Sequence, residues 1–229
     1  MPDLSRTAGR LVAAPLGALA RRRGGKPMHP EGAVFDAVLE RHGGPDWGVP
    51  WLAATATDPA VVRLSRGAGL PAPLPDLLGL AVRLPAGDES IDLLLTTAGR
   101  GALTRLLPVL RRDTAAFYSS IMAYRSDAGG VRFAAVAEAD DVPSEPEPLA
   151  RGVARSSLRF AVLAARGLGP WERFARLTVT GPLPDLDPDV RFDAVQHPPP
   201  GLVPDGPMAR FRSPAYAQAR AARSAGPER

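Results

Sequence analysis

Two alternating stretches, Leu78–Leu84 (LGLAVRL) and Ser90–Thr97 (SIDLLLTT), joined by Pro85–Glu89, constrain the fold of this chain most. Apolar residues at every second position mark a strand with one buried face, and a short turn-rich link returns one such strand antiparallel to the other. The same pattern recurs at Ala33–Glu40 (AVFDAVLE), Ala60–Ser65 (AVVRLS), Val131–Glu138, Leu158–Ala165 and Phe174–Thr180. Loops separate them: Gly43–Pro50 with Trp47, Gly67–Pro75, the acidic Asp140–Pro148 (DDVPSEPEP) and the Pro-rich Pro182–Pro204, read as extended along the surface. With 23 glycines and 26 prolines in 229 residues, the chain suits short elements joined by many turns. Five to seven strands in hairpin order predict an α+β plan, an antiparallel barrel or sheet with flanking helices.

Helices are expected at three places. In Gly101–Arg112, Leu103, Leu106, Leu107 and Leu110 share one side at helical spacing and read as core. Asp113–Tyr124 continues it as a second helix. Ser213–Ala225 starts with an N-cap serine and a proline at the first helical position. Residues 1–25 read as a helical or flexible appendage ending in Arg21-Arg22-Arg23-Gly-Gly, and 26–226 as one domain.

Absent residues exclude whole chemistries. There is no cysteine, which removes disulfides, zinc-thiolate sites and thiol nucleophiles. A formal charge of +4 is too small to demand nucleic acid. The three tryptophans lack the interleaved basic residues of a stacking platform. No apolar run reaches the ~18–20 residues of a membrane span, and Leu11–Ala20 is followed rather than preceded by its arginines, unlike a secretory leader. A cytoplasmic location is therefore expected. A metal-dependent phosphodiesterase-type hydrolase is disfavoured, because the chain has no His-Asp dyad, metal-ligand run or Gly-rich phosphate loop. Asp76 and Asp92 read as residues that fix turns or strand ends, Arg83 as an outward strand charge, and His42 and His197 as solvated loop residues.

Several short segments, in order, resemble the haem-dependent catalase superfamily. His29-Pro-Glu-Gly32 leading into a strand is similar to that family's distal-histidine stretch, with Lys26 three residues before it. Val62-Arg63-Leu64-Ser65 looks like the family's Val-Arg-Phe-Ser, and Asp76-Leu-Leu-Gly79-Leu-Ala-Val-Arg-Leu84 like its next strand. Asp92-Leu93 matches the strand after that. Near the end, Pro200-Gly201 is followed by Arg212 and Tyr216, spaced as Arg-x-x-x-Tyr, and Arg223 lies seven residues later. The resemblance covers residues 26–97 and 198–224.

It implies a reduced catalase-like barrel that holds haem b, with Tyr216 as the phenolate ligand of the iron and Arg212 favouring its anion. Lys26, Arg63 and Arg223 would meet the propionates, for which guanidinium forks and a lysine charge suit buried carboxylates. His29 would be the distal general acid and base toward hydrogen peroxide or an organic hydroperoxide, oriented by Ser65. Thr96 stands where the family keeps an asparagine, and Ala98-Gly99-Arg100 replaces its aromatic residues. Weak catalase or peroxidase activity is the first reading, and a non-catalytic haem- or hydrophobic-ligand-binding module on the same fold is the alternative. Either leaves room for a homo-oligomer.

Overall fold

The computed structural model describes residues 29–70, 73–206 and 209. Ten strands follow in order: β1 (Glu31–His42), β2 (Thr55–Arg66), β3 (Leu78–Ala86), β4 (Glu89–Thr97), β5 (Phe117–Ser119), β6 (Ala123–Ser126), β7 (Gly129–Ala137), β8 (Leu158–Arg166), β9 (Glu172–Pro182) and β10 (Val203–Asp205). Helix α1 (Pro50–Ala53) joins β1 to β2, and α2 (Pro146–Arg155) precedes β8. Eight strands close on themselves in the order β7-β5-β4-β3-β2-β1-β9-β8, with β8 pairing back to β7. Every pairing is antiparallel. The short β6 and β10 hang from β7 outside the ring. Closure removes the exposed sheet edges that would otherwise template association.

The predicted hairpin is β3–β4. Ala86 pairs with Glu89, so the loop is the two residues Gly87-Asp88, and Gly87 supplies the positive φ of 63° that a tight hairpin needs. Alternation sorts the side chains. Phe35, Ala37 and Leu39 of β1, Val62 and Leu64 of β2, and Leu80, Val82 and Leu84 of β3 join one interior cluster. Phe133 of β7 and Phe174 of β9 fill it further, and Trp51 of α1 meets both rings edge-on at 6.0 and 5.7 Å.

Three expected elements are corrected. Residues 101–112 hold only a 3-10 turn, Thr104–Leu106, and Leu103, Leu107 and Leu110 are 68%, 58% and 54% exposed rather than core. Pro108 cannot continue a helix, and backbone bonds from Val109 to Thr97 and between Arg111 and Asp76 hold this stretch along the barrel rim instead. Residues 113–124 contain β5 and the start of β6, because Phe117, Tyr118 and Ser119 pair with β4 and β7. Conversely, the acidic Pro-rich loop gives way to α2 from Pro146. Its proline occupies the first turn, where no N–H partner is needed, and Leu149, Ala150 and Val153 are buried. The expected helix 213–225 lies outside the described residues.

Asp76 and Asp92 act on the backbone. Asp76 accepts the amides of Ala68, Leu70 and Leu77, and its neighbour Arg66 donates to the carbonyls of Leu70 and Leu74. Arg83 is not a free outward charge. It forms a two-pronged pair with the fully buried Asp92 at 2.8 and 2.6 Å, directly across the β3–β4 register. That hydrogen bond to Asp92 raises the Arg83 pKa above its ordinary value.

Candidate functional site on the outer barrel wall

Because Val62 and Leu64 point into the core, the intervening Arg63 and Ser65 point out. Register then aligns Gly32, Ser65, Gly79 and Thr96 in one row across β1, β2, β3 and β4. Two members of the row are glycines, and the space they leave is used. A Cβ on Gly79 would stand 2.6 Å from Cε1 of His29 and 2.8 Å from its Nδ1, so the imidazole lies directly over this glycine. A Cβ on Gly32 would stand 2.7 Å from Cζ of Arg63, so the guanidinium lies across that one.

His29 sits at φ 55°, in the left-handed region where a side chain costs roughly 1–2 kcal/mol. Three bonds hold it there. Its amide donates to the Gly67 carbonyl at 2.8 Å. Its carbonyl accepts from Nη2 of Arg63 at 3.0 Å. Its Nδ1 lies 2.9 Å from Oγ of Ser65. Backbone strain kept in place by surrounding bonds is a feature that clusters at working sites.

Arg63 is buried and holds a carboxylate, that of Asp187, through Nε and Nη2 at 2.7 Å each. Asp187 belongs to the Pro-rich segment after β9, which crosses the outer wall and is tied down again where the Asp193 amide meets Asp92. Asp187 and the two glycines were not identified as site residues from sequence. Gly32 and Gly79 lay inside the quoted motifs, but Asp187 is 124 residues from Arg63 and had no local signal.

Thr96 shares the row but not the cluster. Its hydroxyl donates to the Leu78 carbonyl at 3.1 Å, and one strand separates it from Ser65. Lys26, Arg212, Tyr216 and Arg223 lie outside the described residues. The structure thus brings together His29, Ser65 and Arg63 of the expected set, with Thr96 alongside.

For a haem, the donor chemistry of the described residues fits one face. A histidine anchored through Nδ1 stands over a wall stripped to glycine, and a fork beside it is already engaged with a carboxylate, which is the chemistry a propionate offers. Among the described residues, no group of three or more acidic or histidine side chains could hold a metal ion directly.

No protein-family model matches the chain, and no curated protein matches it by sequence. Solved structures do match in fold. A bacterial catalase superposes with a TM-score of 0.64 at 12% identity, over 90% of this chain and 59% of its own. A fungal catalase superposes with a TM-score of 0.58 at 11% identity, over 89% of this chain and 61% of its own. The chain has a catalase-like fold and spans about three fifths of the length of those catalases.

Proposed function

We propose that this chain binds haem b beside the outer wall of β2–β4, with His29 as the acid and base and Tyr216 as the residue that would ligate the iron, and acts on hydrogen peroxide or an organic hydroperoxide. The observation that carries this reading is the Ser65–His29 contact at 2.9 Å on a backbone held left-handed. When bound, haem would supply a redox-active iron with the capacity to accept oxidising equivalents.

The protein's part is proton management and binding. His29 takes the proton of one peroxide oxygen and delivers it to the other, through Nε2 because Nδ1 faces Ser65. For Nε2 to accept, Nδ1 must carry the proton and donate to Oγ of Ser65, a role the hydroxyl oxygen can fill. A positioned group of this kind contributes about 10²–10⁴-fold. Lys26 and Arg223 would anchor the propionates, joined by Arg63 where a propionate displaces Asp187 from its fork, and Arg212 would hold Tyr216 in its anionic form.

One observation favours a second reading, a binding module without turnover. The Thr96 hydroxyl is spent on the Leu78 carbonyl, so it does not orient a peroxide as a side-chain amide would.

A haemin titration with Tyr216→Phe and His29→Ala tests both. The enzyme reading expects a saturable Soret band near one equivalent and a shifted spectrum in Tyr216→Phe. It also expects loss of peroxide-dependent oxidation in His29→Ala with haem retained. Haem bound with no oxidation above that of free haemin, in wild type and His29→Ala alike, leaves the binding module, and no saturable band in the wild type removes haem altogether.

A further inference from the structure

Four arginines are buried among the described residues: Arg41, Arg63, Arg66 and Arg105. The first three each have a carboxylate at hand, Asp58 at 3.0 Å, Asp187 at 2.7 Å and Asp76 at 3.9 Å. Arg105 forms no ion pair among the described residues, although only 3% of it is exposed. It sits in the 3-10 turn at the barrel rim. Its Nη2 donates to the Gly169 carbonyl at 2.9 Å and its Nε reaches the Gly101 carbonyl at 3.4 Å. Its Nη1 is buried with no partner.

A second guanidinium shares the turn between β8 and β9. Arg132 of β7 reaches the Gly167 carbonyl at 3.4 Å and the Ile121 carbonyl at 3.3 Å, both long contacts. It too forms no ion pair among the described residues. Burial lowers the pKa of each, and Arg105 lowers that of Arg132 further, so the two cations feel each other. Above Arg105 lies the Trp171 ring, with Cζ 4.3 Å from its centroid. The ring face and two carbonyls offset part of an unpaired buried charge, but leaving both N–H groups of Nη1 unmade is costly.

We propose that Arg105 and Arg132 form a binding site for a phosphate group, closed by Trp171, separate from the outer-wall cluster around His29. A tetrahedral oxyanion accepts from two guanidinium groups at once and supplies the negative charge that no ion-pair partner among the described residues provides. The group could arrive as free inorganic phosphate or as a phosphate monoester, and the two share this chemistry.

The test is tryptophan fluorescence and thermal unfolding of the whole chain, titrated with inorganic phosphate and, separately, with glycerol phosphate, at ionic strength fixed by chloride. The expected result is a saturable response to at least one of them that is absent with chloride. The apparent Kd rises about tenfold or more in Arg132→Gln, and the response disappears in Arg105→Gln. A response to glycerol phosphate at lower concentration than to inorganic phosphate assigns the monoester, and the reverse assigns the free ion. Arg132 is half-buried, so its variant carries the test if Arg105→Gln fails to fold. No saturable response in the wild type overturns the proposal, as does an unchanged Kd in Arg132→Gln. Because haem is not in the assay, neither outcome depends on the outer-wall reading.

Discussion

Gly79→Ala is the sharpest probe of the outer-wall cluster. The new methyl carbon would meet Cε1 of His29 at 2.6 Å, Nδ1 at 2.8 Å and Oγ of Ser65 at 2.8 Å. Carbon contacts settle at about 3.5–4.0 Å, so the imidazole must retreat by about 1 Å. The Nδ1–Oγ separation is already 2.9 Å, and a retreat of that size carries it past hydrogen-bonding range. Loss of that bond, roughly 1 kcal/mol, adds to overpacking strain, and the sum is about 1–3 kcal/mol of lost stability. The control is Gly152→Ala in α2, where nothing lies within 4 Å of a Cβ. There, alanine should stabilise by about 0.5–1 kcal/mol through helix propensity. Urea unfolding of both variants is the assay, followed by Gly79→Ala in a His29→Ala background, where most of the penalty should vanish. An equal Gly79→Ala penalty with and without the imidazole would refute the placement of His29 over Gly79.

Three further outcomes follow from the geometry. His29→Gly should be more stable than His29→Ala by roughly 1–2 kcal/mol in urea unfolding, because only glycine adopts φ 55° without a Cβ penalty; equal stabilities would mean the backbone relaxes. Asp187→Asn should lower stability by about 1–3 kcal/mol by leaving Arg63 without its anion, and should tighten haemin binding if a propionate takes the vacated fork. Lower stability with unchanged haemin affinity would remove Arg63 from haem binding. Burial, aided by the charge of Asp113, pushes the Tyr118 phenol well above its ordinary pKa, so the folded state keeps a proton that the unfolded chain releases above about pH 10. Stability should therefore fall as pH rises past 10, and less steeply in Tyr118→Phe, which gives up the 2.9 Å bond to the Thr114 carbonyl at every pH.

Sequence exposed what is local and hid what is distant. The β3–β4 hairpin was legible because alternation, a turn and register all reside within twenty residues. Its ion pair was missed, with Arg83 read as an outward charge, although Arg83 and Asp92 face each other once the two-residue loop is fixed. Leu103, Leu106, Leu107 and Leu110 misled because helical spacing says nothing about whether a face is covered, and the neighbouring backbone was claimed by Thr97 and Asp76. The start of α2 was masked by composition, although Glu145-Pro146 is an ordinary helix entry. Within the cluster, Ser65 and His29 could be paired through a recognisable motif. Asp187 could not, because a fork on one strand and a carboxylate on a distant loop meet only through the closed barrel.

That closure is what lets a strained histidine persist. β2 buries Val62 and Leu64 on one face and presents Arg63 and Ser65 on the other. A slip of one residue would put the polar pair in the core and the apolar pair in water, so core burial itself selects the register that presents the site. Each of these apolar side chains contributes about 1.5–3 kcal/mol, against roughly 1–2 kcal/mol for the left-handed His29. The dependence is therefore one-sided. Losing the His29 imidazole should leave the barrel standing, whereas a polar residue at Val62 or Leu64 should cost both the fold and the cluster outside it.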